Sequence, residues 1–453
     1  MQHSLYVNKQ IELTIDSYGS EGQGVGRADG IAVFIHGAIA GETVLAKVEK
    51  TAPNYAVARL DRVIKSSPVR RDPVCPVFSK CGGCDIQHID YKSQLELKRS
   101  RVQDALERIG GFRGVTTEPC APAESEFRYR NKAVFGFGMH KGVLVCGCYE
   151  RNSHSIVAAE DCLLQDERAF CALKIVLDWA RDARLSAYDE SSGRGVLKNL
   201  IVRTTSPDET MIVIVSSVPL KGTDALIERL GKNINTLRSV VNNVSRSRHS
   251  GILGRRDIVL YGKKTVRERL LGSDFEVSAQ SFLQVNHSQT EKLYKTAVDL
   301  LDLNAADDVA DLYCGIGTLS LLIAKHAKSV IGIEYVQSAV DDAINNAVSN
   351  GVNNAEFLCG GAEEVLPKLV SSGRRISKLL IDPPRQGVQR SALDAIIHSG
   401  VSRIVYVSCN PATLARDCKI LANEGGYMIE CVKPFDMFPQ TGHVETVVLL
   451  SRN

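Results

Sequence analysis

From about residue 288 onward, short apolar runs alternate with helical stretches, and no other feature constrains the fold of this chain so tightly. Val309–Leu312, Val330–Ile333, Lys378–Ile381 and Arg403–Val407 read as short strands, separated by helix-length segments such as Ser338–Asn350. Strands and helices in strict alternation build an α/β sheet covered by helices on both faces. Open sheets of this kind bind ligands along the carboxyl ends of their strands. The residues just after each strand are therefore the first candidates for chemistry.

Upstream the style changes twice. Over residues 4–66, alternating apolar runs (Ile11 to Ile15, Ile31 to Ile35, Thr43 to Val48) are broken by glycines at 19, 22, 24, 26, 30, 37 and 41. Closely spaced strands with glycine turns predict a small β-barrel. Pro68–Pro76 reads as a linker. Residues 93–109 carry Leu95, Val102, Leu106 and Ile109 near helical spacing. From 127 to 275 strands dominate again (Lys132–Phe137, Val143–Cys148, Met211–Val215), with a helix expected around 166–183. A chain of 453 residues exceeds one ordinary core. The division expected is 4–66, 67–275 and 276–453, and the helix near 93–113 is a candidate to pack on the last of these.

Hydrophobic content of 44% and charged content of 24% are those of a globular protein. No apolar run approaches the roughly 18–20 residues that span a bilayer, so no membrane partner is expected. Met1–Tyr6 lacks the basic and then apolar stretch of a secretory signal, which points to a cytoplasmic protein, with a monomer as the default state. In a reducing compartment the thirteen cysteines are expected to be buried, metal-bound or catalytic. The net charge of +3 is small, but Arg238–Arg269 holds nine Lys/Arg against Asp257 and Glu268. A second basic stretch runs through Arg59, Arg62, Lys65, Arg70 and Arg71. Each stretch fits either a phosphate-tracking surface or a solvated face.

In the last third, Asp311-Leu312-Tyr313-Cys314-Gly315-Ile316-Gly317-Thr318 follows a strand and opens a helix. Its two glycines permit close approach of backbone to a ligand. The next strand ends in Glu334, placed to accept the hydroxyls of a ribose, and a later one ends in Asp382-Pro383-Pro384. Position 320 is Ser where G-x-G-x-x-G would need a third glycine. That disfavours a pyrophosphate and favours S-adenosylmethionine. Arg403–Val407 runs into Ser408-Cys409-Asn410-Pro411, so Cys409 is the candidate nucleophile at a strand end, where a helix N-terminus is expected to favour its thiolate. Glu445, within Gly442 to Val447, is the candidate general base. Upstream, Cys75, Cys81 and Cys84 form C-x5-C-G-G-C, a thiolate set suited to zinc or to an iron–sulfur cluster, with spacing leaning slightly to zinc.

Taken together, these pieces closely resemble the bacterial RNA uracil-C5 methyltransferases, in particular the iron–sulfur enzymes that modify 23S ribosomal RNA. The matching pieces are the glycine-rich barrel, C-x5-C-G-G-C, Phe282-Leu283-Gln284-Val285-Asn286, the Asp311–Thr318 loop, Asp382-Pro383-Pro384-Arg385, Ser408–Pro411 and His443-Val444-Glu445-Thr446. The resemblance implies an OB-like TRAM barrel for RNA, a central α+β domain with a 4Fe–4S cluster, and a Rossmann-like class I methyltransferase domain. It implies Cys409 as nucleophile and Glu445 as base, with Gln284, Tyr313, Glu334 and Asp382 contacting cofactor or target base beside the Gly315–Thr318 turn. It implies Cys162 as fourth cluster ligand beside Cys75, Cys81 and Cys84, leaving the other nine cysteines without a cluster role. Tyr129-Arg130-Asn131-Lys132 is a further candidate RNA contact. The substrate expected is 23S rRNA, with the tRNA T-loop as alternative. One departure is Ala362, where many class I enzymes carry an acid for the adenine amino group.

Two rival classes remain. Asp382-Pro383-Pro384-Arg385 resembles the D/N-P-P-[YFW] box of exocyclic-amine methyltransferases, but Arg385 replaces the aromatic residue and such an enzyme has no use for Cys409. A non-catalytic, metal-stapled RNA-binding protein would not need Cys409 and Glu445 together.

Overall fold

The computed structural model describes residues 5–246 and 251–452. Met1, Gln2, His3, Ser4, Arg248 and Asn453, included in the reading above, lie outside them. Strands β1 (Gln10–Tyr18), β2 (Gly24–Ala28), β3 (Ile31–His36), β4 (Thr43–Thr51) and β5 (Tyr55–Lys65) close into a barrel in the order β1-β2-β3-β5-β4. Successive strand side chains take opposite faces, so Ile11, Leu13 and Ile15, Ile31, Val33 and Ile35, and Val44, Ala46 and Val48 fill its interior. Fully burying a Val or Ile side chain contributes roughly 1.5–3 kcal/mol, which is how a barrel this small keeps a core of its own.

Helix α1 (Tyr91–Ala105) starts at Asp90, whose carboxylate accepts the Ser93 N–H at 3.0 Å, and ends in a π-type turn over Leu106–Gly110. It packs on the C-terminal unit, where Val102 and Leu106 share a core with Leu414, Leu421 and Val432. Lys98 pairs with Asp436, both side chains fully buried, and also donates to the Phe438 carbonyl at 3.0 Å. Two desolvated charges hold only when each is matched by the other, so α1 pins the segment after residue 435.

The central sheet has the order β12-β11-β10-β9-β6-β7-β8. Its strands are β6 (Lys132–His140), β7 (Val143–Tyr149), β8 (Ile156–Val157), β9 (Leu197–Thr204), β10 (Thr210–Ser216), β11 (Leu237–Val244) and β12 (Arg256–Gly262). Helices α2 (Glu167–Asp182) and α3 (Asp224–Asn233) cover one face. Ile212 and Ile214 of β10 face them, while Met211, Val213 and Val215 face the hairpin β13 (Thr265–Leu270) and β14 (Ser273–Ser278) and the core beyond.

After α4 (His287–Leu301) come β15 (Asp308–Leu312), α5 (Thr318–Ala324), β16 (Ser329–Glu334), α6 (Gln337–Ser349), β17 (Ala355–Cys359), α7 (Ala362–Ser371) and β18 (Lys378–Ile381). Then follow α8 (Arg390–His398), β19 (Arg403–Ser408), α9 (Pro411–Gly425), β20 (Met428–Phe435) and β21 (Glu445–Ser451). The sheet order is β17-β16-β15-β18-β19-β21-β20. The first five strands are parallel, and β21 runs antiparallel to both β19 and β20. Val330 to Ile333 are buried without alternation, as a parallel strand covered on both faces requires. Among the described residues no helix is long and apolar enough to cross a membrane.

Candidate active site

A cavity of about 1230 Å³ opens beside the carboxyl ends of β15, β16, β18 and β19. Seven of the eight candidate catalytic and cofactor-binding residues line it: Gln284, Tyr313, Gly315, Glu334, Asp382, Cys409 and Glu445. Thr318 does not, being buried as the first residue of α5. Gly317 is also off the cavity wall. A side chain there would meet Ala343 and Phe357 at 3.1 Å, and its φ is +80°, so this glycine serves helix entry and packing. Of these two glycines it is Gly315, with open space beside its Cα, that gives a ligand close access to backbone. Tyr313 holds a φ of 67° without being glycine, with its N–H donated to the Ile333 carbonyl at 2.8 Å. Such a conformation costs on the order of 1–3 kcal/mol and persists only where surrounding structure enforces it.

The Glu334 carboxylate accepts the N–H of Gly315 at 3.1 Å and of Val336 at 2.9 Å. Both its oxygens are thereby oriented, and each keeps a free lone pair, the donor set that two ribose hydroxyls need. Tyr335 and Phe282, 76% and 69% exposed, stand on the cavity wall and offer apolar rings to a flat ligand. Tyr335 was missed in the sequence, although an aromatic residue directly after an acidic strand end was there to be read. Ala362 lies buried, and Glu363 beside it lines the cavity, held by Gln389 Nε2 at 3.0 Å.

Strand pairing brings the catalytic candidates together. Ser408 pairs with Thr446, so Cys409, just past β19, and Glu445, the first residue of β21, are the next residues outward from that pair. Burial pushes the Cys409 thiol up to about 11, and the Glu445 and Asp382 carboxyls raise it further while Arg385 opposes them. Burial and the two carboxyls thus act against the thiolate that a helix N-terminus would favour. Two of the first turn's N–H groups are lost to the thiol: Pro411 has none, and that of Ala412 is capped by Asn410 Oδ1 at 3.1 Å. Burial also lifts Glu445 well above the usual carboxylate range, helped by Asp382 and opposed by Arg385. Asp382 is pushed up to about 7 by burial alone. Asp311, buried in β15, is lifted to about 7 by burial and then by Asp382 and Glu334.

The loop carrying Arg385 is tied to the Cys409 turn. Its carbonyl accepts from Asn410 Nδ2 at 3.0 Å and Thr413 Oγ1 at 3.3 Å. Asp417, buried in α9, accepts the Val388 N–H and the Tyr406 hydroxyl at 2.8 Å each. From the other side the barrel closes on the same region: a side chain at Gly442 would meet Glu21 C at 2.8 Å and Gly22 N at 2.9 Å.

A second cavity, of about 1220 Å³, shares Arg385 and His443 with the first. Cys75, Cys81, Cys84 and Cys162 all line it, joined by Cys148, and all five are free thiols. Among the described residues no group of three or more His, Cys, Asp or Glu side chains is set to hold a single metal ion. Arg130 lines the same space, close enough to Cys81 and Cys84 to stabilise their thiolates, and its buried Nε has no partner.

Several basic and polar candidates are committed internally. Arg70 donates to Glu42 and to the Gly37 carbonyl, and Arg71 to the Gln87 carbonyl, Glu126 and Gln440. Arg70 thereby holds the segment after β5 to the barrel, and Arg71 ties it to the cysteine loop and to Gln440. Tyr129 donates to the Pro439 carbonyl at 2.9 Å and Asn131 to the Gln284 carbonyl at 3.1 Å, leaving only Arg130 and Lys132 of that tetrapeptide on the cavity. Within Arg238–Arg269, Arg246, Arg255 and Arg256 line a small cleft of about 500 Å³.

Comparison with known proteins adds to this geometry. Residues 90–453 match the family model described as tRNA (Uracil-5-)-methyltransferase, and residues 4–60 match the TRAM domain. The chain is 41% identical over 447 residues to an uncharacterized RNA methyltransferase of Halalkalibacterium halodurans, covering 98% of this chain and 97% of that one. It is 38% identical over 451 residues to another from Clostridium acetobutylicum, again covering 98% and 97%. The crystal structure of Pyrococcus abyssi tRNA (uracil-54, C5)-methyltransferase in complex with S-adenosyl-L-homocysteine superposes with a TM-score of 0.77 at 27% identity, covering 97% of this chain and 99% of that one.

Proposed function

This chain belongs to the tRNA (uracil-5-)-methyltransferase family and is an RNA methyltransferase; on that premise we propose that it methylates carbon 5 of a uridine in 23S rRNA through a covalent adduct on Cys409. The observation that carries this reading is the placement of Cys409 opposite Glu445 on the wall of one cavity with Glu334 and Asp382. S-adenosylmethionine, when bound, supplies the methyl group as an electrophilic sulfonium. Glu334 would take its ribose hydroxyls, Gly315 would admit it close to backbone, and Gln284, Tyr313 and Asp382 would contact cofactor or base.

Carbon 5 of uracil is a poor nucleophile. Addition of Cys409 as its thiolate, the thiol proton having gone to solvent, to carbon 6 makes carbon 5 enolate-like, so that it attacks the methyl group. Glu445 then removes the carbon 5 proton, the double bond re-forms, and the carbon 6–sulfur bond breaks to return the thiolate. The burial that raises Glu445 makes its carboxylate a stronger base for that proton than a solvated one.

In the same reading Cys75, Cys81, Cys84 and Cys162 hold a 4Fe–4S cluster that is structural or positions RNA. Their convergence on one cavity with the unpaired Arg130 Nε supports it, because an arginine suits the negative charge of thiolate-bound iron. The RNA lies along this cavity toward Arg385 and His443, with the barrel closing over it, and the protein acts as a cytoplasmic monomer. The likeness to the Pyrococcus abyssi enzyme favours a second reading, a uridine of tRNA.

The test is to map 5-methyluridine in rRNA and tRNA from cells lacking the gene, complemented with wild type or Cys409→Ala. A 23S site lost in the deletion and restored only by wild type is the expected result. A site lost only in tRNA moves the substrate to the second reading, and no lost 5-methyluridine overturns both. Protein purified without air should be brown and contain iron and sulfide; stoichiometric zinc without iron would remove the cluster.

A further inference from the structure

We infer that Gln440 is a positioning residue for the methyl transfer, tying the part of the active-site wall made by Phe438 and His443 to α1 and to the end of the cysteine loop. This rests on the reading of the active-site cavity given above. The segment from Asp436 to Val444 joins β20 to β21, and the strands on either side of it meet in the Phe435–Glu445 pair. Within it the Thr441 N–H donates to the Phe438 carbonyl at 3.2 Å, closing a turn with Pro439 second and Gln440 third. Gln440 has a φ of 70°. A turn with proline second and a left-handed residue third is of type II and ordinarily takes glycine there. A side chain in that conformation is strained and persists only where surrounding structure enforces it.

The same turn carries two rings of the cavity wall. Thr441 Oγ1 donates to the Phe438 carbonyl at 2.9 Å and accepts the His443 N–H at 3.3 Å. The Phe438 and His443 rings meet edge to face, with centroids 6.0 Å apart. Both line the cavity that holds Cys409 and Glu445, and His443 lines the cysteine cavity as well.

What a glutamine adds at this position is its amide. Gln440 is fully buried, and its polar groups reach distant parts of the chain. Its backbone N–H donates to Gln94 Oε1 at 3.1 Å while its Oε1 accepts from Gln94 Nε2 at 3.0 Å, a two-way clamp on α1. The same Oε1 accepts from Arg71 at 3.1 Å, and Nε2 donates to Glu126 at 2.9 Å, a carboxylate that Arg71 also reaches at 3.2 Å. Its carbonyl accepts the N–H groups of Asp85 and Ile86, the residues that follow Cys84, at 3.0 and 3.2 Å. Leaving buried polar groups without partners costs stability, so the turn cannot shift without breaking these contacts. Glycine would satisfy the backbone but would drop the clamp. Placement of this kind matters to the reaction, because a misplacement of about 1 Å can cost on the order of 10²-fold in rate.

The experiment measures 5-methyluridine formed in bulk RNA from cells lacking the gene, as kcat at saturating RNA and as KM for S-adenosylmethionine. It compares wild type, Gln440→Gly, Gln440→Glu, and Gln440→Glu combined with Glu126→Gln. Gln440→Gly keeps the left-handed backbone without strain and loses only the side-chain contacts. Its kcat should fall by about 10–10²-fold with KM for S-adenosylmethionine unchanged. Gln440→Glu sets two carboxylates against each other and should lose as much. Adding Glu126→Gln restores the hydrogen bond with donor and acceptor exchanged, and kcat should return close to wild type. A wild-type kcat in Gln440→Gly, or a loss in Gln440→Glu that Glu126→Gln does not restore, would overturn the positioning role. So would a KM for S-adenosylmethionine that rises in step with the fall in kcat, the mark of a general loosening. Wild type that forms no 5-methyluridine in this RNA would overturn the reading of the cavity itself and the inference with it.

Discussion

Glu445, the first residue of β21, and Cys409, immediately after β19, each lie one step beyond the Ser408–Thr446 pair of these antiparallel strands. Residues directly opposed in such a pair project to the same face with Cβ atoms about 4.5–5.5 Å apart. Cys409 and Glu445, next to that pair, line one cavity, which suits a reaction whose two steps act on adjacent carbons.

A uridine analogue with fluorine at carbon 5 tests the pair directly, since a base cannot remove fluorine as a cation. Wild type should form an RNA–protein adduct that survives denaturing electrophoresis, and Cys409→Ala should form none. With ordinary uridine RNA, Glu445→Gln should slow turnover by about 10²–10⁴-fold and accumulate the adduct. Turnover near wild type without an adduct would give the base role to another group.

The raised Cys409 thiol has its own signature. Below about pH 9 the thiolate fraction rises nearly tenfold per pH unit when the thiol titrates near 11. Alkylation of Cys409 by iodoacetamide, followed by peptide mass spectrometry, should climb in that way from pH 7 to 9. Arg385→Gln should slow it, because Arg385 favours the thiolate. A rate already level at neutral pH would mean that the helix terminus prevails over burial.

Asp311 makes stability depend on pH. Its carboxyl is held up at about 7 in the folded chain, chiefly by burial, against about 3.9 when unfolded. The stability this contributes is fully present below about pH 4 and is lost as pH rises toward 7, on the order of 4 kcal/mol in all. Asp311→Asn still accepts the Ser320 hydroxyl but carries no charge. Its melting temperature relative to wild type should rise between about pH 4 and 7 and then level off. A difference independent of pH would place the titration elsewhere.

The buried Lys98–Asp436 pair holds α1 to the segment leading to Glu445. Lys98→Met strands a buried carboxylate and should cost about 3–5 kcal/mol in denaturant unfolding. Pairing it with Asp436→Leu should recover most of that loss. A double variant as unstable as the single one would show that the Phe438 carbonyl contact, not the charge pair, holds the segment.

Much of the site could be read in the sequence because α/β sheets place function at strand ends. Glu334, Asp382 and Cys409 each follow a short apolar run, and a strand's length and direction are local properties. The barrel was legible for the same reason: alternation at Ile11, Leu13 and Ile15 needs no knowledge of distant residues. The tertiary structure alone decided which neighbours each group meets. Gly317 and Thr318 look like ligand contacts until Ala343 and Phe357 occupy the space beside Gly317 and the body of α5 buries Thr318. Arg70 and Arg71 look like phosphate contacts until Glu42, Gln87 and Gln440 take their donors. Cys148 looks like one more core cysteine until the pairing of β7 with β8 and with the Cys81 loop brings it to the wall of the cysteine cavity. The Cys409 thiolate, plausible beside a helix terminus, is disfavoured because desolvation and carboxyl charge are supplied by residues far along the chain. Period and spacing are written along the chain, whereas burial, charge and hydrogen-bond competition depend on atoms that folding brings together from everywhere else in it.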